Sequence, residues 1–144
     1  MAEVKMEKYY QAYDKRYQQI HNLKLQWSSD VVTPILQELT VQFGIRKTDK
    51  ILEIGCGEGR DALWLLEQGY DILATDVSKE AISYCKKKNS KFSHLFFQLD
   101  VCEERLPQTF KFIYSISVIH MLVNQEDRNR FLTFIRDHLD EDGY

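Results

Sequence analysis

The stretch ILEIGCGEGRDALWLL, residues 51–66, decides the fold of this chain. Its first four residues predict a buried strand, and its last seven predict a helix. Between them lie Gly55, Gly57 and Gly59, and glycine lets a backbone turn sharply and approach a ligand that a Cβ would block. The free N–H groups at the start of the helix favour a negative group. A strand, a glycine loop and a helix in this order predict a nucleotide site.

Outward from this stretch, short apolar runs alternate with helical patterns. Strands are predicted at residues 50–54, 71–75, 94–100 and 111–119, and helices at residues 60–68, 79–88 and 124–139. Strands that are apolar on both faces and alternate with helices indicate a parallel sheet covered on both sides. We therefore expect a three-layer α/β fold. Ligands of such sheets bind at the carboxyl ends of the strands.

The N-terminal residues 1–45 are predicted to be helical. Apolar and aromatic residues recur at steps of three and four over residues 4–20, which predicts a first helix. A second helix is predicted from residue 29 or 30 to residue 43, with Asp30 as its N-cap and Pro34 in its first turns. Helices placed before the first strand can cover the strand ends as a lid.

Composition and charge exclude several classes of function. The net charge is −3 and the pI is about 5.8, so duplex nucleic acid is not expected as a partner. No apolar run approaches the ~20 residues of a membrane helix, and the first residues lack the apolar core of a signal peptide. Cys56, Cys85 and Cys102 form no metal-binding cluster. We expect a protein of the cytoplasm without a metal site.

Acidic residues end the second and third predicted strands. Asp76 lies 21 positions after Gly55, where a carboxylate can accept hydrogen bonds from the hydroxyl groups of a ribose. Asp100 lies 24 positions after Asp76. A carboxylate there can accept from an exocyclic amine such as that of adenine, while the N–H of Val101 meets a ring nitrogen. These residues indicate an adenosine-containing ligand.

A dinucleotide site is the alternative to a ligand with a single adenosine. Its fingerprint is G-x-G-x-x-G followed by an acid about 20 residues later. The present pattern is E-x-G-x-G-x-G, in which the third glycine comes two positions after the second. Because Asp76 fits both kinds of site, an NAD-dependent oxidoreductase stays open as an alternative function.

Three segments in order resemble the class I S-adenosylmethionine-dependent methyltransferases: LEIGCGEGRDALWLLEQGYDILATDVSKEAISYCKKK, QLDV and FKFIYSISVIHML. Over residues 49–139 the chain is most similar to the small-molecule branch that includes the tellurite-resistance and thiopurine methyltransferases. The resemblance implies a Rossmann-like sheet with its first four strands in the order 3-2-1-4. It also implies S-adenosylmethionine as cofactor and methyl transfer to a small-molecule acceptor, whose identity follows no general motif.

By position, the resemblance implies contacts to the amino-acid and sulfur end of the cofactor. Gly55, Cys56 and Gly57 are expected to line its methionine and ribose part. Glu53 is expected to orient the loop and to reach the ammonium group. Ser115, at the end of the fourth strand, is expected to lie below the sulfonium.

The resemblance also implies contacts to the nucleoside end. Asp76 is expected to hold the ribose hydroxyl groups, with Val77 against the face of the adenine. Asp100 and Val101 are expected to bind the adenine edge.

An aromatic residue before the first strand often covers the cofactor in enzymes of this kind. Trp27 is the candidate, with Tyr9, Tyr10 and Tyr13 as further lid or substrate-wall residues. Where the acceptor must lose a proton, a base is needed. His120, just after the fourth strand, is the candidate for that role.

The whole chain, residues 1–144, is expected to form one domain, with residues 1–45 as an N-terminal helical lid and residues 49–144 as a Rossmann-like core. The family sheet has seven strands in the order 3-2-1-4-5-7-6, and this chain reaches only the turn before strand five. The C-terminal part of the family sheet is therefore expected to be missing. The fourth strand would then be an unpaired apolar edge, which predicts a homodimer or cover by further sequence. A cofactor-binding module without catalysis is the corresponding alternative function.

Overall fold

The computed structural model describes residues 6–144. Its helices are α1 (Tyr13–Asn22), α2 (Pro34–Gln42), α3 (Arg60–Glu67), α4 (Lys79–Lys88) and α5 (Gln125–His138). Its strands are β1 (Lys50–Ile54), β2 (Asp71–Asp76), β3 (Phe96–Gln98) and β4 (Phe112–Tyr114). Short 3-10 helices lie at Tyr9–Ala12, Ser90–Leu95 and Ile119–Met121. None of the helices in this described part has the length and apolar character needed to cross a lipid bilayer.

The four strands form one parallel sheet in the order β3-β2-β1-β4. The predicted α/β class and strand order are therefore confirmed. In the register, Ile51 of β1 lies opposite Ile72 of β2 on one side and opposite Phe112 of β4 on the other. The strand order reverses between β1 and β4, and the crevice at such a reversal is where ligands of open α/β sheets bind.

Side chains of β1 alternate between two separate cores, because successive Cβ atoms of a strand point to opposite faces. Ile51 packs in one core with Leu65 of α3 and Cys85 of α4, all three fully buried. Leu52 packs in the other core with Phe134 of α5, and both are fully buried. Helices thus cover both faces of the sheet, which gives the predicted three layers.

The first predicted helix is shorter than its pattern indicates. Residues 4 and 5 lie outside the described residues, and the chain enters regular structure only with the 3-10 helix Tyr9–Ala12. α1 follows from Tyr13. Its Asp14 carboxylate accepts hydrogen bonds from the Ser78 hydroxyl and the Glu80 N–H, both at 2.8 Å. This helix is therefore docked on the start of α4.

The second helix begins later than predicted, and Asp30 is not its N-cap. Thr33 precedes the helix with an extended backbone, and Pro34 is its first residue. A proline disfavours helical geometry at the residue before it, which moves the start of the helix to Pro34. Asp30 is exposed, and its carboxylate accepts hydrogen bonds from Gln26 and Lys88.

The third and fourth strands have three residues each and are also shorter than predicted. After β4 the chain leaves the sheet at Ser115, whose hydroxyl donates to the carbonyl of Ile54 at 2.8 Å. Ser117 then has a φ of +60°. A left-handed residue cannot continue a strand, so the apolar run after Ser115 forms a loop and the 3-10 helix Ile119–Met121 instead.

The outer edge of β4 is partly paired, contrary to the expectation of a bare edge. The N–H of Tyr144 donates to the carbonyl of Lys111, and the carbonyl of Tyr144 accepts from the N–H of Ile113, both at 2.9 Å. The Tyr144 ring stacks on Phe43, just after α2, with ring centroids 4.4 Å apart. Tyr144 therefore occupies the position of a fifth strand beside β4.

Candidate functional site

A cavity of about 620 Å³ opens at the carboxyl ends of the strands, where this class of fold binds its ligands. Its volume is typical of cofactor sites. The glycine loop, the segments after β2, β3 and β4, and the N-terminal segment all contribute to its wall. Ten of the eleven predicted site residues line it, namely Trp27, Glu53, Gly55, Cys56, Gly57, Asp76, Val77, Asp100, Val101 and His120.

The glycine loop turns through three left-handed residues, with φ of +80° at Gly55, +54° at Gly57 and +82° at Gly59. Position 55 requires glycine for a second reason besides its backbone conformation, because an added Cβ would overlap with the side chain of Val118. The N–H of Gly55 donates to the carbonyl of Thr75 at 2.8 Å. The loop is therefore held against the end of β2, with its backbone lining the cavity.

Asp76 is buried at the end of β2 and holds the loop from the other side. Its Oδ2 accepts from the N–H of Gly57 and its Oδ1 from the N–H of Ser78, both at 2.8 Å. Burial raises the pKa of Asp76, although these hydrogen bonds oppose the rise. Each carboxylate oxygen can accept a second hydrogen bond, so Asp76 retains the capacity to bind a ligand hydroxyl.

Glu53 lies on β1 directly before the glycine loop and is buried. Its Oε2 accepts a hydrogen bond from the hydroxyl of Tyr114 on β4 at 2.8 Å. Burial raises the pKa of Glu53 to about 8, and the nearby carboxylates of Asp61 and Asp76 contribute to the rise against the effect of Tyr114. Glu53 is therefore a largely protonated acid at neutral pH in this structure.

Asp100 joins the sheet end to the N-terminal segment. Its carboxylate accepts from the hydroxyl of Tyr10 at 2.9 Å, the side-chain amide of Gln11 at 3.1 Å and the N–H of Cys102 at 3.0 Å. Burial raises the pKa of Tyr10, and the hydrogen bond to Asp100 adds to this. Tyr10 therefore stays a neutral donor, and it covers the place predicted for Asp100 to bind a ligand.

An apolar wall lies beside Asp100. It consists of side chains from the segments after β2 and β3 and from the far side of the cavity, and it is continuous with the core under α5. A flat aromatic ring can pack on such a surface while its polar edge meets the carboxylate. The residues of this wall are Val77, Leu99, Val101, Leu122 and Phe131.

Aromatic residues of the N-terminal segment form one side of the cavity wall. Trp27 is half-exposed, and its ring contacts those of Tyr13 and Tyr17, with centroids 6.2 Å and 5.6 Å apart. Tyr9 is exposed and is not part of the cavity wall. The sequence did not single out Tyr17, although it follows Tyr13 by one helical turn. A Cβ added to Gly57 would lie 2.8 Å from the Tyr17 hydroxyl, so this tyrosine rests directly on the glycine loop.

The segment after β4 contributes Ser117 and His120 to the cavity, whereas Ser115 does not line it. The Ser115 hydroxyl is turned towards the sheet and bound to Ile54. Ser117 has a left-handed backbone, and backbone strain of this kind is frequent at functional sites. His120 is exposed and has no hydrogen-bond partner within residues 6–144.

Glu58 is the site residue that sequence reasoning missed. It is buried between Gly57 and Gly59, and its carboxylate receives hydrogen bonds from the N–H of Trp27 at 2.8 Å and from the N–H and hydroxyl of Ser28 at 2.7 and 2.9 Å. Burial raises the pKa of Glu58, but these bonds and one to His21 outweigh it and leave the pKa below its usual value. Its signal in the sequence is a charged residue inside an otherwise small-residue loop.

The charges around the cavity are mostly negative. Asp61 has an ion pair with Arg60 at 3.3 Å, and Glu58 contacts His21. Asp76 and Asp100 line the cavity, and neither has an ion pair with Lys, Arg or His in the part of the chain that the structure describes. Carboxylates without a cationic partner in a cleft create a negative potential, which suits a positively charged ligand.

A sequence profile described as a methyltransferase domain matches residues 51–143, well over half of this chain. The probable S-adenosyl-L-methionine-dependent methyltransferase TehB of Haemophilus influenzae is 28% identical over 99 residues, which are 66% of this chain and 34% of TehB. The putative methyltransferase YqeM of Bacillus subtilis is 30% identical over 64 residues, which are 44% of this chain and 26% of YqeM. The chain therefore spans well under two thirds of the length of these relatives.

Solved structures share the fold. A TehB-like SAM-dependent methyltransferase from Corynebacterium glutamicum aligns with a TM-score of 0.63 and 24% identity, over 91% of this chain and 67% of that protein. The glycopeptide N-methyltransferase MtfA aligns with a TM-score of 0.69 and 20% identity, over 81% of this chain and 52% of that protein. MtfA has also been solved with S-adenosyl-L-methionine. At these identities the likeness establishes a common fold.

Proposed function

This chain belongs to the methyltransferase domain family, and from that premise we propose that it binds S-adenosylmethionine and transfers its methyl group to a small-molecule acceptor. The observation that carries the proposal is the grouping of the glycine loop, Asp76 and Asp100 around one cavity. S-adenosylmethionine is a cation with one adenosine and an amino-acid tail. A negative cavity with a carboxylate at each of two strand ends fits those features.

The proposed ribose contact is Asp76. Its two oxygens already accept from the N–H groups of Gly57 and Ser78, which fixes the carboxylate in one orientation. The second acceptor position on each oxygen is left for the two vicinal hydroxyl groups of a ribose. A pre-oriented acceptor of this kind binds without losing further side-chain freedom.

The proposed adenine contacts are Asp100, Val101 and Val77. The carboxylate of Asp100 accepts three hydrogen bonds from Tyr10, Gln11 and Cys102 and has about four acceptor positions. One position is therefore free for an exocyclic amine, or more if Tyr10 moves when the ligand enters.

The proposed contacts to the amino-acid tail are Glu53, Gly55, Cys56 and Gly57, all of which line the cavity. The ammonium group of the tail is expected to approach Glu53. A positive charge beside a carboxyl lowers its pKa, so Glu53 is expected to release its proton when the cofactor binds. Ser115 is left out of this set because its hydroxyl is bound to Ile54.

We propose that residues 1–45 form a lid on a core of residues 49–144 within one domain. The support is the set of cavity residues that the N-terminal segment supplies, together with its hydrogen bonds to Asp100 and Glu58. Trp27 is the proposed cover of the cofactor. Opening and closing of such a segment is expected to control the entry and release of S-adenosylmethionine.

Bound S-adenosylmethionine supplies a methyl group on a sulfonium, which an acceptor can take in a single in-line displacement. The chain is then required to align the reactants and exclude water, which the lid and the apolar wall provide. His120 is the proposed base for an acceptor that must lose a proton, because its ring lines the cavity without a hydrogen-bond partner among the described residues. A cofactor-binding module without catalysis is the second candidate function, because every contact proposed above except that of His120 serves binding alone.

Calorimetric titration with S-adenosylhomocysteine and, separately, with NAD tests the proposal. We expect binding of the first and none of the second. Binding of NAD alone would overturn the assignment. Transfer of a labelled methyl group to any member of a panel of small acceptors distinguishes an enzyme from a binding module.

The Asp76→Ala variant tests the ribose contact. Removing the carboxylate is expected to weaken S-adenosylhomocysteine binding at least tenfold, because hydrogen bonds to a charged group contribute ~1.5–3 kcal/mol each. The matched control is Asp71→Ala, an exposed aspartate at the opposite end of the same strand. Equal affinities of the two variants would refute the role of Asp76.

We also propose a cytoplasmic location. The support is the state of the three cysteines, which are all buried and free, as is typical of a reducing compartment. Fractionation of cells that produce the native chain tests this, and recovery from an oxidising compartment would contradict it.

A further inference from the structure

His21 lies between two carboxylates that belong to different elements. Its Nε2 is 2.8 Å from Oε1 of Glu58 in the glycine loop, and its Nδ1 is 2.8 Å from Oε1 of Glu80 in the first turn of α4. The ring stacks on Tyr84 of α4, with centroids 4.3 Å apart and planes 17° from parallel. Only 9% of the side chain is exposed. His21 therefore joins the end of α1 to the glycine loop and to α4.

Both ring nitrogens of His21 need a proton in this arrangement. An ionised carboxylate only accepts hydrogen bonds, and a neutral imidazole has only one N–H to donate. Glu58 cannot supply the missing proton, because its two oxygens already accept from the N–H of Trp27 and from the N–H and hydroxyl of Ser28. A neutral imidazole and two ionised carboxylates thus have one proton too few for both hydrogen bonds. The closed arrangement requires that additional proton.

Carboxylates face both nitrogens of the His21 ring. The titratable groups that face it are Glu58 from the loop, Glu80 and Tyr84 from α4, and Tyr17 from its own helix. Within residues 6–144, neither glutamate has an ion pair with a lysine or arginine. Among residues 6–144, His21 is therefore the basic side chain that lies within hydrogen-bond distance of both carboxylates.

Glu58 connects His21 to the backbone of the N-terminal segment. The same carboxylate that faces His21 holds the backbone of Trp27 and Ser28, and Trp27 lines the cavity. If the proton is lost, one nitrogen of His21 presents a lone pair to a carboxylate, and the attraction on that side becomes a repulsion. The contact that closes the segment over the glycine loop is then weakened.

We propose that His21 is a positioning residue that acts as a protonation-dependent latch, keeping the segment of residues 21–28 closed on the glycine loop while it bridges Glu58 and Glu80. The latch is closed when the bridge holds its proton and opens as the pH rises through the titration of the bridge. The part of this inference that concerns the cofactor rests on the proposed function, whereas the latch itself is defined without a ligand.

The ligand-free test is hydrogen exchange at the Trp27 and Ser28 amides. Their N–H groups bond to Glu58, so their protection factors, corrected for the intrinsic rate at each pH, report the closed latch. Between about pH 5 and about pH 8, where imidazoles commonly change charge, we expect these protection factors to fall about tenfold or more, as for loss of a charge-assisted hydrogen bond. Protection factors that do not change with pH would overturn the proposal.

The Glu80→Gln variant separates a latch from a structural histidine. The glutamine amide can donate to Nδ1, so a neutral imidazole then satisfies both neighbours and keeps Nε2–H for Glu58. We expect Glu80→Gln to retain the protection of Trp27 and Ser28 and to lose its pH dependence. If the variant keeps the full pH dependence of the native chain, the proposal is wrong.

Two further variants complete the ligand-free test. His21→Gln is expected to show low protection at every pH, because the glutamine amide is uncharged and carries both of its N–H groups on a single nitrogen, so it cannot bridge carboxylates that face opposite sides of the ring. His94→Gln is the matched control, since His94 is exposed and lies outside the cavity wall. It is expected to behave like the native chain. Native protection in His21→Gln would contradict the latch.

The dissociation rate of S-adenosylhomocysteine extends the test to the cofactor. We expect the rate to increase with pH over the same range in the native chain and to stay level in Glu80→Gln. A native rate that does not change with pH would overturn the link between the latch and the cofactor. Absence of any binding would contradict the proposed function, and the amide exchange result, which needs no ligand, would still decide for or against the latch.

Discussion

Two glutamates in one strand and loop differ in charge state because of what surrounds them. Glu53 and Glu58 are five positions apart, and both are buried. Burial raises the pKa of Glu53 to about 8, the hydrogen bond from the Tyr114 hydroxyl opposes the rise, and nearby carboxylates add to it. Glu58 receives several N–H and O–H donors, and its pKa falls. Hydrogen bonds to the charged form thus decide which of the two stays ionised.

Glu53 is expected to make the stability of the ligand-free chain depend on pH. The folded chain holds the Glu53 proton up to about pH 8, whereas the unfolded chain releases it near the ordinary glutamate value of 4.5. The folded state therefore binds more protons between these values, and the free energy of unfolding falls as the pH rises through this range. Urea unfolding at a series of pH values measures this.

The Glu53→Gln variant is expected to lose this part of the pH dependence, because glutamine does not titrate. Glu67→Gln, at the exposed end of α3, is the control and is expected to keep it. An unchanged slope in Glu53→Gln would show that Glu53 is already ionised in the folded chain.

At this scale, local pattern predicted the acids at the strand ends and missed the residues that depend on distant contacts. Asp76 and Asp100 could be placed because each directly follows a recognisable apolar run. Glu58 and Tyr17 acquire their place only when residues 10–28 fold back on the glycine loop. The spacing of apolar residues along a helix does not show which loop that helix will cover, so this part of the site could not be predicted from the sequence.

The glycine loop is the element on which the site depends most. It joins β1 to α3 and takes its shape from left-handed glycines, from a backbone bond to Thr75 and from the Asp76 carboxylate. These are constraints on the backbone, so side-chain chemistry alone cannot replace them. The loop is predictable from sequence because the left-handed positions require glycine.

Gly55→Ala and Gly69→Ala separate backbone strain from loss of space. Both glycines have positive φ, +80° and +86°, so alanine at either is expected to cost ~1–2 kcal/mol. A Cβ at Gly69 meets nothing within 4 Å, whereas one at Gly55 overlaps with Val118. Gly55→Ala is therefore expected to cost a further ~1–3 kcal/mol and to weaken cofactor binding.

Denaturant unfolding and calorimetry of the two variants measure these effects. Gly69→Ala is expected to bind S-adenosylhomocysteine as the native chain does, since Gly69 lies at the far end of α3. Equal stability of the two variants would show that Val118 can move aside at no cost.

The elements themselves were predictable in kind and order, but the ends of β3 and β4 were not. The apolar run of residues 111–119 favours a long strand, yet β4 stops at Tyr114. The causes are the turn of Ser115 to Ile54 and the left-handed Ser117. Both are tertiary effects that draw the chain over the cavity, and an apolar run cannot reveal them.

The N-terminal segment makes contacts along the carboxyl ends of the strands, from α5 to α4. Lys8 pairs with the buried Asp127 of α5, and Tyr10 bonds to Asp100 after β3. Further along, Asp14 holds the start of α4. The segment thus contacts helices on both faces of the sheet. Its position over the cavity therefore depends on both helical layers.

The homodimer through the outer edge of β4 remains a prediction, and Tyr144 competes with a second copy for that edge. A second copy that pairs along this edge must displace Tyr144, which is held there by two backbone bonds and by stacking on Phe43. Phe43→Ala removes the stacking and is expected to raise the dimer fraction. Size-exclusion chromatography with light scattering over a range of concentrations measures this.

The control for that measurement is Val41→Ala, an exposed α2 residue, which is expected to leave the dimer fraction unchanged. A chain that is monomeric at every concentration, with or without Phe43, would contradict the prediction.

The carboxylates of Asp76 and Asp100, left without basic partners among the described residues, have a consequence for turnover. In the proposed reaction, loss of the methyl group removes one positive charge from the ligand, so the attraction of these carboxylates for the ligand is expected to weaken once the methyl group has been transferred. We therefore expect the cavity to hold S-adenosylmethionine more tightly than S-adenosylhomocysteine through long-range charge alone. Inhibition by S-adenosylhomocysteine is expected to be mild at low ionic strength. Added salt screens the charge, so the affinities for S-adenosylmethionine and S-adenosylhomocysteine are expected to approach each other and the inhibition to grow.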